Sequence, residues 1–322
     1  MERSIISMKR MLTMKISTAN NLFDCLGELD ERYRLAAEMG YTAVDLGMNE
    51  WSVGQIFRDE AHGFFDRDMD DLIAYYRTYS DAAAKHGIEI YQMHAPFPSA
   101  RVGKHEMNAY IQTVFQKCIQ ITEAVGCKYL VVHPICSDAY TTEEQDMEAD
   151  FNLFCPFVDS LKKYGVVMCL ENAYHYYNGR IRSISASNAD YLVRLAERLN
   201  DFAGAECFGI CYDSGHANIT GKDHYKEILA CGKHLKVLHL HDTDGVHDTH
   251  LIPYTGRYLD RQATDWEGIL KALAAIGYDG CINFESDSGV RAFPQEARAG
   301  ALQTVALIGK YFVRKIQEYQ AL

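Results

Sequence analysis

The chain repeats one phrase, an amphipathic helix, a glycine and an apolar strand, at intervals of roughly forty residues, a period that marks a modular architecture. The phrase reads AAEMG then YTAVDLG, AAAKHG then IEIYQMH, TEAVG then CKYLVVH, LKKYG then VVMCLE, and LAAIG then YDGCINFE. Gly40, Gly87, Gly126, Gly165 and Gly277 fall where a helix C-terminus needs a left-handed residue, which glycine supplies at least cost. Adding MKISTA, FGICYD and KVLHLHD gives eight expected strands, a number that closes a barrel. The strands are near-continuous apolar runs, as parallel strands covered by helices must be. The helices each carry one apolar stripe: Ile111, Val114, Phe115, Cys118, Ile121 and Val125 in one, Leu302, Val305, Ile308, Phe312 and Ile316 in another. The expected fold class is α/β, a single (β/α)8 TIM barrel with long strand-to-helix loops over the C-terminal face; a doubly wound open sheet is the alternative.

A chain of 322 residues with 48% hydrophobic and 24% charged residues suits one such barrel. Residues 1–12 read as an N-terminal extension and 13–322 as the catalytic domain. A net charge of -12 argues against a nucleic-acid partner, because backbone phosphates are held by Lys and Arg. Ten cysteines occur without a CxxC pair, and several sit inside strands, which suits reduced thiols and a cytoplasmic location. No stretch is apolar enough for a signal peptide or a membrane span.

Six strands stop at, or just before, a side chain able to bind a divalent metal: His94, His133, Glu171, Asp213, His239 and Glu285. A parallel barrel carries the carboxyl ends of its strands to one rim, so residues spread over the chain converge there. A carboxylate ending an apolar strand, as Glu171 and Glu285 do, is costly to bury unpaired and faces water, a metal or a cation. Taken singly, each reads more readily as a rim residue than as a ligand. Asp213, in CYDSGHAN with His216 three positions on, either caps the next turn or shares a ligand with it. KVLHLHD puts His239 and His241 on one side of a strand, because side chains alternate with period two. His94 and His133 each precede a proline that ends the strand by withdrawing its donor. Residues 48–67, 172–187 and 242–265 form connections longer than packing requires, either lids or small satellite cores. The first two are aromatic, and Trp51 and Tyr177 within them are expected at the substrate. No P-loop, GxGxxG, GxSxG or HExxH motif is present.

The motifs HAPF, LEN, YDSGHAN, HLHDTDG, DTHLIPYTG and NFE, spread over residues 14–316, resemble those of the xylose isomerase-like barrels, which include sugar phosphate isomerases/epimerases, ketose 3-epimerases and endonuclease IV. The resemblance implies a metal-dependent sugar or sugar phosphate isomerase/epimerase that removes a proton next to a carbonyl and passes through an enediolate. It implies one divalent ion (Mn, Mg, Co or Zn) held by Glu171, Asp213, His239 and Glu285, with His241 as the alternative to His239. Glu171 and Glu285 would be the acid and base, and His216, His94, His133, His241, Asp248 and His250 would line the substrate. Tyr177 stands where ketose epimerases carry a glutamate, and their arginine after the metal histidine has no counterpart, so the substrate stays open. The endonuclease IV branch, with three zinc ions, finds counterparts for all nine ligands: His94, His133, Glu171, Asp213, His216, His239, Asp248, His250 and Glu285. The acidic charge and the segment after LEN favour the sugar branch. Dehydration of a keto-sugar or keto-inositol starts with the same proton abstraction and is a second alternative. Arg180, Lys222 and Arg257 are the cations in the connections that a phosphate would meet, or simply solvated charge. The implied partner is a small sugar, with no membrane or nucleic acid, and such barrels commonly form homodimers.

Overall fold

Eight parallel strands alternate with helices: β1 (Lys15–Thr18), β2 (Ala43–Gly47), β3 (Glu89–His94), β4 (Tyr129–Val132), β5 (Val167–Glu171), β6 (Phe208–Asp213), β7 (Leu235–His239) and β8 (Cys281–Phe284). The structure is a computed structural model and describes residues 14–61, 63–135, 141–259 and 261–322; the extension expected over residues 1–12 lies outside them. From β2 to β7 each strand pairs with the next in one curled parallel ladder, and β1 pairs with β8 from Lys15–Cys281 to Thr18–Phe284. This two-strand stave joins the six-strand sheet on each side through a single parallel bridge, Ala19 to Asp45 and Leu240 to Phe284.

The local signals that set this order hold. All five joining glycines have positive φ, between 66° and 107°. Gly165 shows why: at φ 66° it turns the chain out of the helix Val158–Tyr164 while its N–H still reaches Leu161 O, and β5 begins two residues later. A Cβ there would strain a left-handed backbone. The expected stripes are buried: Ile111, Val114, Phe115, Cys118 and Ile121 in the helix His105–Ala124, and Leu302, Val305, Phe312 and Ile316 in Arg298–Gln320. Alternate strand residues turn inward, where Val131, Val167, Cys169, Cys211 and Val237 form a separate small cluster with Tyr91 and Tyr129. Above it lies a buried polar layer of Ser17, Asp45, Gln92 and Asn283, and above that the rim. The described cysteines are all free, and no helix among the described residues is long and apolar enough to cross a membrane.

The long connections have their own structure. Residues 48–67 contain the short helix Val53–Phe57, started by a Ser52–Gln55 capping box. Residues 172–187 contain a hairpin, Tyr174–Tyr177 against Arg180–Ser183, that turns at Asn178 and Gly179 with φ of 51° and 72°, as a two-residue hairpin turn demands.

One packed histidine sets an acid limit on the fold. His224 is buried with Nδ1 2.8 Å from the Tyr212 hydroxyl, and burial pulls its pKa down from 6.5 to about 4. The folded state therefore resists a proton that the unfolded chain accepts, so stability is full above pH 6.5 and falls as pH drops towards 4. The loss amounts to about 3 kcal/mol from this one group. In His224→Gln, the difference in unfolding free energy between pH 7 and pH 4, measured by urea titration, is expected to shrink by about that amount.

Candidate metal centre

The strand ends bring Glu171, Asp213, His239 and Glu285 together, with one ligand atom from each lying within 4.8 Å of the others. His239 Nδ1 is 3.0 Å from Glu171 Oε1 and 3.7 Å from Glu285 Oε2. Glu171 is 1% exposed, Asp213 and His239 are fully buried, and only Glu285 is partly open to the cavity. Three carboxylates in so small a volume repel one another, and the ion pairs around them are all with histidines: His94 and His133 at 3.4 and 3.1 Å from Glu171 Oε2, His216 at 3.6 Å from Oε1, and His241 at 3.1 Å from Asp213. Three carboxylates and an imidazole at this spacing fit a divalent cation of the Mn, Mg, Co or Zn kind.

The two glutamates are driven apart electrostatically. Burial would raise Glu171, but the imidazoles of His239 and His133 outweigh it and hold the carboxyl well below its usual range. At Glu285 burial prevails over His239 and His250, and the pKa rises. Asp213 is held low: burial opposes its charge, but His216 and His241 more than compensate. Burial also opposes charge on His250, yet Asp248 and Glu285 lift it to about 10.

Asp213 caps the next turn and also stands in the cluster. Its Oδ1 accepts the His216 N–H at 2.6 Å and so caps the helix Ser214–Ile219, while the same carboxylate belongs to the four-residue cluster. His241 stands behind it, its Nε2 3.1 Å from both Asp213 oxygens and its ring stacked on His250 at 4.0 Å. Gly215 makes room for that ring, since a Cβ there would lie 1.9 Å from it. His241, expected to touch substrate, is instead fully buried and does not line the cavity: it lies two residues past the end of β7 and reaches Asp213 from there.

A cavity of about 730 Å³ opens over the cluster, with His94, His133, Glu171, His216, Asp248, His250 and Glu285 as its floor and Phe57, Phe97, Tyr174 and Tyr176 on its walls. Asp248, 3.4 Å from His216 Nε2 and 3.3 Å from His250 Nε2, joins a histidine of the helix Ser214–Ile219 to one of the connection after β7. Two expected substrate contacts are corrected. Trp51 is 1% exposed, packs edge-on to Tyr110 at 5.1 Å and donates to Glu60 O, so it is the core of its loop and not a wall of the cavity. Tyr177 does not line the cavity and lies under the Arg182 guanidinium; Tyr174, whose hydroxyl is 3.0 Å from Asp248, takes the inward place in that hairpin. Arg180, Lys222 and Arg257 do not line it either, and Lys222 is engaged by Asn188. Asp45, beneath His239, went unnoticed in the sequence, although an acid inside the apolar run AVDLG was the signal available.

A family model described as a xylose isomerase-like TIM barrel matches residues 33–307. Among curated proteins, the chain is 29% identical to the uncharacterised protein y4fM of Sinorhizobium fredii over 169 residues, 52% of this chain and half the length of that relative. It is 21% identical to an inosose isomerase of Bacillus velezensis over 258 residues, 78% of this chain and 84% of that one. Among solved structures, the IolI protein with a bound zinc atom superposes with a TM-score of 0.67 at 19% identity, over 96% of this chain and all of that one. A D-psicose 3-epimerase crystallised in the presence of D-fructose gives 0.66 at 13% identity, over 93% of this chain and 99% of that one.

Proposed function

The chain belongs to the xylose isomerase-like TIM-barrel family, and from that membership and the rim cluster we propose that it is a divalent-metal-dependent isomerase or epimerase of an unphosphorylated sugar. The observation that carries the reading is the convergence of Glu171, Asp213, His239 and Glu285 within 4.8 Å at the floor of an open cavity. Bound there, one divalent ion would supply Lewis acidity to adjacent oxygens of the substrate. Glu171 and Glu285, on different strands, flank the reacting carbon, one taking the proton from the carbon beside the carbonyl and the other returning one. Return to the same carbon from the other face epimerises the substrate, and return to its neighbour isomerises it. His94, His133, His216 and His250 line the space where the hydroxyls lie and orient them. The pairing of the one arginine that lines the cavity among the described residues supports an uncharged sugar. Arg101 lines the cavity, but its guanidinium is paired with Asp59, donates to Ile56 O at 3.0 Å and lies over the Phe57 ring; no lysine among the described residues lines the cavity.

The test is uptake of solvent deuterium into ketoses, aldoses and their phosphates by metal-loaded protein. Exchange into free sugars in preference to phosphates is expected; absence of exchange throughout the panel would remove the reading. A multi-ion nuclease is the second reading, favoured by one observation: His94 and His133 around Glu171, and His216 and His250 around Asp248, flank the central four residues as two further groups. The net charge of -12 weighs against it. Elemental analysis separates the two, with one ion per chain expected; three ions together with nicking of abasic duplex DNA would replace the sugar assignment.

A further inference from the structure

Below the rim, in the polar layer inside the barrel, Asp45 of β2 is 2% exposed and one of its oxygens gathers three N–H groups. Oδ2 lies 3.1 Å from His239 Nε2, 2.9 Å from Gln92 Nε2 and 3.2 Å from Asn283 Nδ2. The amide of Asn283 is oriented from its other end, because Ser17 Oγ donates to its Oδ1 at 2.6 Å, which leaves the NH2 facing Asp45. His239, Gln92, Asn283 and Ser17 are all fully buried. Three donors meeting one oxygen fix the direction of the Asp45 side chain, while its other oxygen, Oδ1, is buried without a hydrogen-bond partner.

The direction of the imidazole gives this arrangement its meaning. His239 turns Nε2 down to Asp45 and Nδ1 up to Glu171 Oε1, 3.0 Å away, and Glu285 Oε2, 3.7 Å away. The His94 ring lies nearly parallel to it at 5.5 Å and helps to fix its plane. We propose that Asp45 is a positioning residue for the metal centre: it keeps the proton of His239 on Nε2 and its lone pair on Nδ1, aimed at the site shared by Glu171, Asp213 and Glu285. This rests on the reading that the cluster holds a cation, and not on which sugar is turned over. Asp45 itself stays out of the ligand set, since it meets the opposite ring nitrogen. Such outer carboxylates fix the tautomer and raise the donor strength of a ligating histidine, and their loss typically costs 10- to 100-fold in metal affinity.

The experiment measures affinity for Zn and Mn by chelator competition in wild type, Asp45→Asn and Asp45→Ala, repeating the Asn variant in a His239→Ala background. Asp45→Asn keeps the shape of the residue but loses its charge, and is expected to bind on the order of 10-fold more weakly; Asp45→Ala, lacking the acceptor as well, is expected to lose up to about 100-fold. In the His239→Ala background the effect of Asp45→Asn is expected to collapse to within about twofold, because positioning acts only through that ring. An equal loss in both backgrounds, or wild-type affinity in Asp45→Asn, overturns the proposal. If wild type binds neither ion, the metal reading itself fails. The ring 15N shifts of His239 then still decide the role of Asp45: a proton on Nε2 in wild type that leaves it in Asp45→Ala upholds tautomer control, and an unprotonated Nε2 in wild type ends it.

Discussion

Glu171→Gln is expected to lose both catalysis and metal, and to cost stability as well. Four imidazoles, those of His94, His133, His216 and His239, converge on this one carboxylate at 3.0 to 3.6 Å. Removing its charge takes from His94 and His133 the carboxylate they share and weakens the pairing of His216 and His239, and breaking a buried charged set by deleting one partner costs about 3–5 kcal/mol. Solvent-exchange rates should fall by on the order of 10²–10⁴-fold from the missing base alone. Glu285→Gln separates the two roles. Its carboxyl is the partly open one and burial already disfavours its charge, so in the ion-free protein the amide should leave the melting temperature near wild type, while exchange by the metal-loaded protein falls by a similar factor. Thermal melts and deuterium exchange on the same preparations check both variants. Unchanged exchange in Glu285→Gln would take that residue out of the proton transfer.

Removal of the ion is expected to abolish exchange in all substrates and to lower stability, because the carboxylates of Glu171, Asp213 and Glu285 then repel one another across less than 5 Å, compensated only by protonated imidazoles. With the ion at a thousand times its dissociation constant, the stabilisation lost is about 4 kcal/mol. Adding Mn, Co or Zn back should restore both quantities together. A protein whose melt and exchange are indifferent to exhaustive chelation would contradict the assignment of the cluster as a cation site.

Much of this centre could be read before any coordinates, for a physical reason. Strand ends are local features: an apolar run that halts at Glu171 or Asp213 says where the backbone changes environment, and parallel topology carries those ends to one rim. Gly40 and Gly165 were equally legible because a left-handed helix end is decided by a few neighbouring atoms. What stayed hidden depends on which way a side chain points across long sequence separations. Trp51 and Tyr174 lie in similarly aromatic loops, yet the indole is core and the phenol reaches Asp248; nothing local distinguishes them. Asp45 meets His239 from 194 positions away, and its own strand gives only the oddity of an acid among aliphatics. His241 was placed by period two, a rule that expires at His239, where β7 ends.

The pair formed by β1 and β8 is held to its neighbours by one bridge on each flank, and the two flanks fall beside Asp45 and just before Glu285. Few further bonds cross there: the Thr42 N–H reaches Ile16 O on one flank, and the Leu240 and Glu285 N–H groups reach Asn283 O and Leu240 O on the other. Amide protons of Leu240 and Glu285, bonded across one joint, should therefore exchange faster than those within β5 and β6, and should slow when the ion is bound.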